Sequence, residues 1–472
     1  MDPALAPELP DTLEWLNLAR PVRMAELRGR ACALAFVSAG SAWSQQRLQE
    51  LARLQVRHGD RLQVLAVHVP RFEHERDARR TARRLALQGL GFPLAHDPGW
   101  VAWQQFGIEA WPTVLLVDGE GRVRERVVGA ADPVALESRI AELAATSPAR
   151  AGAAIALRPQ PQPAMPLRHP SGIAVGEEYL YVADSGHHRI LECDHAGRVL
   201  RQFGTGRPDL LDGPADLAAF QRPHGLDLQR DALYVADSGN HAVRRIHLRS
   251  GEVETLLGNG RAAAPAAGEV SAAAATPLDH PRAVLLSGGM LFVACRGDNR
   301  VWRYDLASRR LDVAAGSGAL AVRDGTGETA AFAEPVALAA VQQLLYVCDA
   351  AGSAIRSLNE RTGQVSTLIG QDPWEFGRDD GARHAARLQD PQAIALDPDA
   401  PLLWIADAGN DLLRTLRLGG GELATHALPE RLHGPCGLAV AGGAVWIADT
   451  EAHAILRLDT RTGTLQRIPV GE

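Results

Sequence analysis

The pattern of hydrophobic and polar residues changes character near residue 150. Before that point, strand-like and helix-like segments alternate, at 31–38, 44–59, 62–69, 71–89, 113–130 (a hairpin) and 132–147. This order, β-α-β-α-β-β-α, predicts a small α/β domain over 1–147. The next residues, 148–166, are rich in alanine and proline and are predicted to form a linker.

From residue 167 onward the pattern is purely β, with glycine and proline at regular positions. Six copies of one pattern align, at 169–190, 222–243, 280–301, 334–355, 390–413 and 434–455. The residue that ends the second strand of each copy recurs at 184, 237, 295, 349, 407 and 449, so the intervals are 53, 58, 54, 58 and 42. Four short strands at such periods are typical of propeller blades. The region 167–472 is therefore predicted to be an all-β six-bladed β-propeller.

The pattern leaves two ways of closing the ring. Either the sixth copy supplies its own four strands, the last at 465–470, or the apolar segment 153–157 adds one.

Three insertions recur between blades, at 212–220, 324–332 and 380–388, and each begins with Asp-Gly and ends in an apolar residue. In a four-stranded antiparallel blade, the loops after strand two and after strand four leave by the same face. The insertions and the start of each inner strand therefore share one face of the disc. Because function concentrates on loops held by a rigid scaffold, we expect binding on this loop-elaborated face.

The composition excludes lysine-dependent chemistry and indicates a cellular location. The chain has no lysine, so all 49 basic residues are arginine, against 56 acidic residues and a net charge of −7. Schiff-base and P-loop lysines are therefore excluded. No apolar run approaches the length of a membrane span, and no signal-peptide pattern is found. Five cysteines stand singly without a CxxC pair, so a cytoplasmic location without membrane contact is predicted.

Several motifs resemble known families. ADSGHHRI (183–190) and ADSGNHAV (236–243) resemble the NHL repeat, while FVSAGSAWSQQ (36–46) and WPTVLLVDGEG (111–121) resemble a thioredoxin-like domain. With the lead-in at 12–30, the whole chain resembles the NHL repeat-containing protein 2-like family. The resemblance implies an α/β thioredoxin-like domain followed by an NHL-type propeller.

One departure from thioredoxin-like proteins bears on chemistry. Such domains carry a CxxC pair before their first helix, whose N-terminus lowers the thiol pKa. The matching residues here are Ser41 and Ser44, so the domain is predicted to be redox-inactive. The resemblance still implies a peptide groove beside Trp43 and Trp111-Pro112-Thr113, in which Pro112 matches the cis-proline. The structural alternative is that Ser41 only caps the helix and Pro112 only fixes a turn.

A second candidate site follows from the repeat. The residue after each lead proline starts an inner strand, and these six are predicted to surround the channel mouth: Ser171, His224, Arg282, Val336, Gln392 and Cys436. They suit a small anion or other small ligand, but are a thin set for a metal, with one histidine, one cysteine and no carboxylate. Some NHL-like propellers are lyases with a metal in this channel. The structural alternative is that these residues only hydrate the mouth, and we predict no bound metal or cofactor.

Other residues recur in blade after blade and are predicted to be structural. Five aspartates are expected to accept backbone N–H bonds in turns, namely Asp184, Asp237, Asp349, Asp407 and Asp449, with Cys295 in their place in the third copy. His188, His241 and His453 occupy equivalent corners of different blades, so they cannot converge on one metal.

Arginines also cluster in the segment 71–89. Arg76, Arg80 and Arg84 fall on one face of the predicted helix, where a nucleic acid or an acidic partner is one interpretation. Interleaved acidic residues and the acidic propeller favour a solvated face instead. Nucleic-acid binding is therefore not expected.

Together these features favour a non-catalytic binding or scaffold protein. We expect it to bind a protein or peptide partner through the propeller face, together with the redox-inactive groove, and we assign no catalytic residue. The alternative is a lyase or hydrolase acting at the channel mouth, with His224 as base or metal ligand. A thiol–disulfide oxidoreductase fits the sequence least.

Overall fold

The computed structural model describes residues 4–86, 89–129, 133–146, 155–158, 165–272 and 275–471. It divides the chain into two compact units, Met1–Pro163 and Ala164–Glu472. The boundary between them lies inside the predicted linker, of which the structure describes residues 155–158, 165 and 166.

In its described residues, the first unit is one mixed sheet with helices. Its strands are β1 (Glu14–Trp15), β2 (Ala31–Val37), β3 (Leu62–His68), β4 (Leu94–His96), β5 (Thr113–Val117) and β6 (Val123–Val128). Its helices are α1 (Ala42–His58), α2 (Ala78–Ala86), α3 (Val101–Gln105) and α4 (Pro133–Thr146). The strand order is β1-β4-β3-β2-β5-β6, with β2, β3 and β4 parallel and β5 antiparallel to β2. The predicted thioredoxin-like α/β fold is confirmed.

Burial explains which of these elements the sequence predicted. Every residue of β2 and β3 is buried, so both strands form continuous apolar runs. The sequence pattern missed β1, β4 and α3, which have two, three and five residues. Elements this short carry too little periodicity to be recognised.

The second unit is the predicted six-bladed propeller. Each blade has four antiparallel strands in chain order from the inside outward. The inner strands are Pro170–Val175, Pro223–Gln229, Pro281–Ser287, Pro335–Val341, Pro391–Leu396 and Pro435–Ala441. The second strands are Tyr179–Asp184, Ala232–Asp237, Met290–Cys295, Leu344–Asp349, Leu402–Asp407 and Ala444–Asp449. All six lead prolines thus stand first in their strands, where a missing N–H is tolerated.

The outer half of each blade completes the sheet. The third strands are Arg189–Asp194, Ala242–His247, Arg300–Asp305, Ala354–Asn359, Leu412–Arg417 and Ala454–Asp459. The outer strands are Val199–Phe203, Val253–Gly258, Arg310–Ala315, Gln364–Ile369, Leu423–Thr425 and Leu465–Ile468. Short edge strands, Gly268–Glu269 and Gly325–Thr326, extend blades 3 and 4. Six apolar clusters, each shared by two neighbouring blades, form the core.

The ring closes by packing blade 6 against blade 1, without exchanging a strand. The backbone N–H of His169 donates to Nδ1 of His453 (3.0 Å), and Oγ1 of Thr450 donates to the carbonyl of Pro170 (2.7 Å). Blade 6 contains four consecutive strands of its own. The ring therefore uses the first of the two predicted closures.

The segment 153–157 does not serve the propeller in its described part. Leu157 pairs with Leu18, within the first unit, and the backbone N–H of Arg158 donates to the carbonyl of Asn17 (2.7 Å). Residues 153 and 154 lie outside the described residues.

The three Asp-Gly insertions run along the edges of their blades. Gly213, Gly325 and Gly381 each pair with the outer strand, at Val253, Val365 and Leu423. The apolar residues that end the insertions, Phe220, Phe332 and Leu388, are fully buried. The insertions are therefore anchored at both ends and held against the edges of their blades.

Across the described ranges, none of the helices is long and apolar enough to cross a membrane.

Candidate functional site at the channel mouth

The inner strands surround a small central cavity. Ser171, His224, Arg282, Val336, Gln392 and Cys436 all line it. Its volume is about 80 Å³, the space of roughly three water molecules. Pockets that enclose small-molecule ligands usually measure about 300–1,000 Å³. The cavity therefore has room for a single small group.

A chain of hydrogen bonds crosses the mouth of this cavity. Arg282 donates through Nη1 to Nε2 of His224 and through Nη2 to Oε1 of Gln392 (3.2 Å). The amide of Gln392 donates to Oδ1 of Asp390 (2.6 Å). Since a neutral imidazole accepts at one nitrogen and donates at the other, His224 carries its proton on Nδ1.

This environment keeps His224 neutral. Burial, followed by the charges of Arg282, Arg222 and Arg296, holds the pKa of His224 well below its usual range. A general base needs an available lone pair and a pKa near the working pH. Because Nε2 already accepts from Arg282, the arrangement fits neither a base nor a metal ligand at His224.

Arg222 brings a further positive charge to the mouth. It is half-buried, directly before the lead proline of blade 2. Burial and the charge of Arg296 lower its pKa. Arg296 itself pairs with Glu334, with Nε 3.2 Å from Oε2. The guanidinium of Arg222, by contrast, has no hydrogen-bond or ion-pair partner in the part of the chain that the structure describes. The charge of this guanidinium reaches the mouth, where it contributes to the low pKa of His224.

The other polar mouth residues bond to neighbouring groups, and Oγ of Ser171 also donates to the carbonyl of Pro223 in blade 2 (3.3 Å). Oγ of Ser171 lies 2.5 Å from Oγ of Ser185, and Sγ of Cys436 donates to the carbonyl of Gly434 (3.4 Å). Val336 is buried and apolar. The fold thus brings the six residues together, and hydrogen bonds connect His224, Arg282 and Gln392, which belong to three different blades.

The signature histidines join neighbouring blades. The residue at this position has a left-handed backbone in every blade: His188, His241, Asn299, Ser353, Asp411 and His453. Each side chain accepts the backbone N–H that precedes the next lead proline, from Arg222 (3.1 Å), His280 (3.3 Å), Glu334 (3.0 Å), Asp390 (3.4 Å), Gly434 (2.7 Å) and His169 (3.0 Å) respectively. The histidines are therefore structural latches. The repeat pattern did not identify Asn299, Ser353 and Asp411 as equivalent to the histidines, because the four residue types share only a hydrogen-bond acceptor atom.

The repeated aspartates accept backbone N–H bonds, as predicted, but the donor precedes the inner strand of the same blade and does not lie in the turn itself. Oδ1 of Asp184, Asp237, Asp349, Asp407 and Asp449 accepts from Arg168 (2.7 Å), Gln221 (2.8 Å), Ala333 (2.6 Å), Gln389 (2.7 Å) and His433 (2.5 Å).

The repeat pattern did not single out three buried arginines. Arg244, Arg356 and Arg414 are fully buried in the third strands of blades 2, 4 and 5. Each binds the aspartate seven residues earlier and the aspartate that opens the preceding insertion, namely Asp212, Asp324 or Asp380. The signal was present: this Asp–Arg spacing occurs in the blades that an Asp-Gly insertion precedes.

In the first unit, the two serines in place of the CxxC pair serve the helix terminus. Ser41 is the N-cap of α1, and its Oγ accepts from the backbone N–H of Ser44 (3.3 Å). Oγ of Ser44 accepts from the backbone N–H of Ser38 (3.2 Å). Cys32 is buried in β2, which raises the pKa of its thiol to about 12. No thiolate is therefore expected near this position.

The predicted groove residues lie beside an aromatic cluster. The Trp111–Pro112 peptide bond is cis, and the Trp111 ring lies 5.3 Å from Trp100 and 4.5 Å from Trp103. Oγ1 of Thr113 donates to the carbonyl of Ala110 (2.7 Å), and Trp43 is half-buried in α1. The sequence missed Trp100 and Trp103 because the adjacent elements, β4 and α3, were not predicted.

The arginines of 71–89 do not form one helix face. Arg76 precedes α2 and Arg80 is buried. Nη1 of Arg84 lies 3.1 Å from Nε2 of His74. The expectation of three arginines on one solvated face is therefore wrong, because the helix begins later than predicted and turns Arg80 inward.

The chain is similar to known NHL-repeat proteins. The NHL repeat family matches residues 220–246, which include the blade 2 turn. Human NHL repeat-containing protein 2 is 26% identical over 98% of this chain and 71% of its own length. The protein SUPPRESSOR OF QUENCHING 1, chloroplastic, from Arabidopsis thaliana is 27% identical over 97% of this chain and 47% of its own length.

Among solved structures, virginiamycin B lyase from Staphylococcus aureus matches 64% of this chain and 84% of its own, with a TM-score of 0.42 and 14% identity. The similarity to NHL repeat-containing protein 2 extends over both units. The chain is thus similar to NHL repeat-containing protein 2 over nearly its whole length, as its motifs predicted.

Proposed function

We propose that this protein is a non-catalytic binding module whose propeller captures a carboxylate of a protein or peptide partner at the channel mouth. The observation that carries this proposal is Arg222, a half-buried guanidinium without a partner among the described residues. A buried cation is costly unless an anion pairs with it. A bound carboxylate removes this cost, because the planar guanidinium can donate two parallel hydrogen bonds to it.

The size of the cavity supports a side chain rather than a free substrate. About 80 Å³ accommodates one carboxylate group but not a metabolite of ordinary size. An acidic side chain or a chain terminus can enter such a space while the rest of the partner remains on the propeller face. Propellers commonly present this kind of surface to proteins.

The competing functions have weaker support. A channel-mouth lyase or hydrolase needs His224 as base or ligand, and Arg282 occupies its Nε2. A thiol–disulfide oxidoreductase needs sulfur where Ser41 and Ser44 hold the helix terminus. All five cysteines are free thiols, which fits the proposed cytoplasmic location.

Fluorescein-labelled hexaglutamate tests the proposal by polarisation at low salt. We expect wild type to bind it, Arg222→Gln to bind at least about tenfold more weakly, and added NaCl to weaken binding. The matched control is Arg249→Gln, an exposed arginine in the turn between the third and outer strands of the same blade, which leaves by the opposite face.

Equal binding by wild type and Arg222→Gln contradicts the proposal. If wild type instead shows a turnover that His224→Ala abolishes without a change in melting temperature, the channel-mouth enzyme is correct.

A further inference from the structure

Two histidines and an aspartate meet where blade 2 contacts blade 3. His241, Asp279 and His280 are half-buried, and one ligand atom from each lies within 4.8 Å of the others. The rings of His241 and His280 are 4.3 Å apart at 89°. Nδ1 of His280 lies 2.7 Å from Oδ1 of Asp279.

We propose that this junction binds a divalent transition-metal ion, for which Zn²⁺ is the best fit. Two imidazoles and one carboxylate form a usual zinc donor set, with bonds of about 2.0–2.2 Å and a fourth position open to water. One ligand atom of each residue already lies within 4.8 Å of the others. His241 coordinates the ion in exchange for the hydrogen bond that its Nδ1 accepts from the backbone N–H of His280, at 3.3 Å the longest of the three histidine latches. The ion replaces the proton that His280 and Asp279 share.

An equivalent junction in the same ring shows what the aspartate adds. Between blades 6 and 1, His453 and His169 are also 4.3 Å apart, at 84°. The residue that precedes His169 is Arg168, where the other junction has Asp279. The paired rings are therefore a product of the repeat, and the carboxylate distinguishes the blade 2–3 junction from its counterpart.

Blade 3 also places a buried aspartate near this cluster. Asp298 is 7% exposed, and its Oδ1 has no hydrogen-bond partner among the described residues. Burial, and less strongly the charge of Asp279, raise the pKa of Asp298 to about 7. The nearest guanidinium, that of Arg300, stands 3.9 Å from Oδ2 of Asp298, and Trp302 occupies the position of the buried arginine of blade 2. A cation bound at the cluster favours the ionised form of this carboxylate.

The test is a ZnCl₂ titration of untagged, chelator-stripped full-length protein by calorimetry, with the melting temperature as a second readout. We expect one equivalent of Zn²⁺ to bind and to raise the melting temperature. Asp279→Asn retains an oxygen acceptor for His280, so we expect it to fold, to bind Zn²⁺ at least about tenfold more weakly and to lose the thermal shift. His453→Ala, the matched control at the other junction, should bind like wild type.

A reciprocal variant sharpens the test. Arg168→Asp gives the blade 6–1 junction the same three residue types, so we expect its stoichiometry to rise from one to two. Absence of Zn²⁺ binding to wild type overturns the proposal. Binding that Asp279→Asn leaves unchanged also overturns it, because the ion is then held elsewhere, for example at Cys436.

Discussion

His188 illustrates how a single latch residue depends on its protonation state. Its Nδ1 accepts the backbone N–H of Arg222, and burial, with the charges of Arg222 and Arg168, lowers its pKa to about 4. A histidine in the unfolded chain titrates near pH 6.5. Between these values the unfolded state binds a proton that the folded state does not. The free energy of unfolding therefore falls as the pH drops from about 6.5 to about 4.

The variant His188→Asn separates the latch from the titration. Asn299 serves the same latch through its amide oxygen (3.0 Å), so we expect the variant to be about as stable as wild type at pH 7.5. At pH 5, wild type should lose on the order of 1 kcal/mol more than the variant, after allowance for partial exposure. Urea unfolding at both pH values measures this. Identical pH dependence of the two proteins would falsify the assignment.

At the scale of elements, ion pairs fasten the Asp-Gly insertions to their blades. In blade 4, Nη2 of Arg356 binds Asp324 of the insertion (3.0 Å) and Nη1 binds Asp349 (3.2 Å). Oδ1 of Asp324 also accepts a hydrogen bond from Oγ1 of Thr367 on the outer strand (2.6 Å). The buried guanidinium thus connects an insertion, a second strand and a third strand.

Arg356→Met tests this fastening. The change leaves Asp349 buried without its cation, so we expect a loss of about 3–5 kcal/mol in the free energy of unfolding. Arg361→Gln, at an exposed turn of the same blade, should change it by less than about 0.5 kcal/mol. Denaturant unfolding of both variants provides the measurement. A loss for Arg356→Met as small as that of the control contradicts the role assigned to the ion pair.

At the scale of the whole molecule, the propeller contains all that its closure uses. Its six apolar clusters belong to residues of the second unit. The closing hydrogen bonds, from His169 to His453 and from Thr450 to Pro170, also lie within it.

Expression of residues 164–472 alone tests the proposed division into domains. We expect a monomeric β-rich protein that unfolds cooperatively within a few degrees of the propeller transition in the full chain, since no core residue is removed. Circular dichroism and thermal melts measure both properties. Aggregation of this fragment under conditions in which the full chain is folded contradicts independent folding.

Local and periodic information was enough to predict much of this protein. The lead prolines and the apolar strands repeat six times, and an aspartate ends the second strand in five of the six copies. Chance similarity averages out over so many copies, so the propeller follows from the sequence. Ser41 and Ser44 likewise reveal the missing dithiol directly, because reactivity depends on the residue type itself. The sequence pattern did not predict the short elements β4 and α3, since their burial depends on neighbours far away in the chain.

Contacts between blades were decided by the tertiary structure alone. The sequence comparison correctly separated His188, His241 and His453 from one another, but it did not pair His241 with His280, which lies 39 residues further on. The pattern also did not show the partners of Arg244, or that Arg222 has no side-chain partner among the residues that the structure describes. Repetition determines which positions are equivalent, so it specifies the fold. What each junction binds depends on the few side chains that differ between copies, and only the packed ring brings those side chains together.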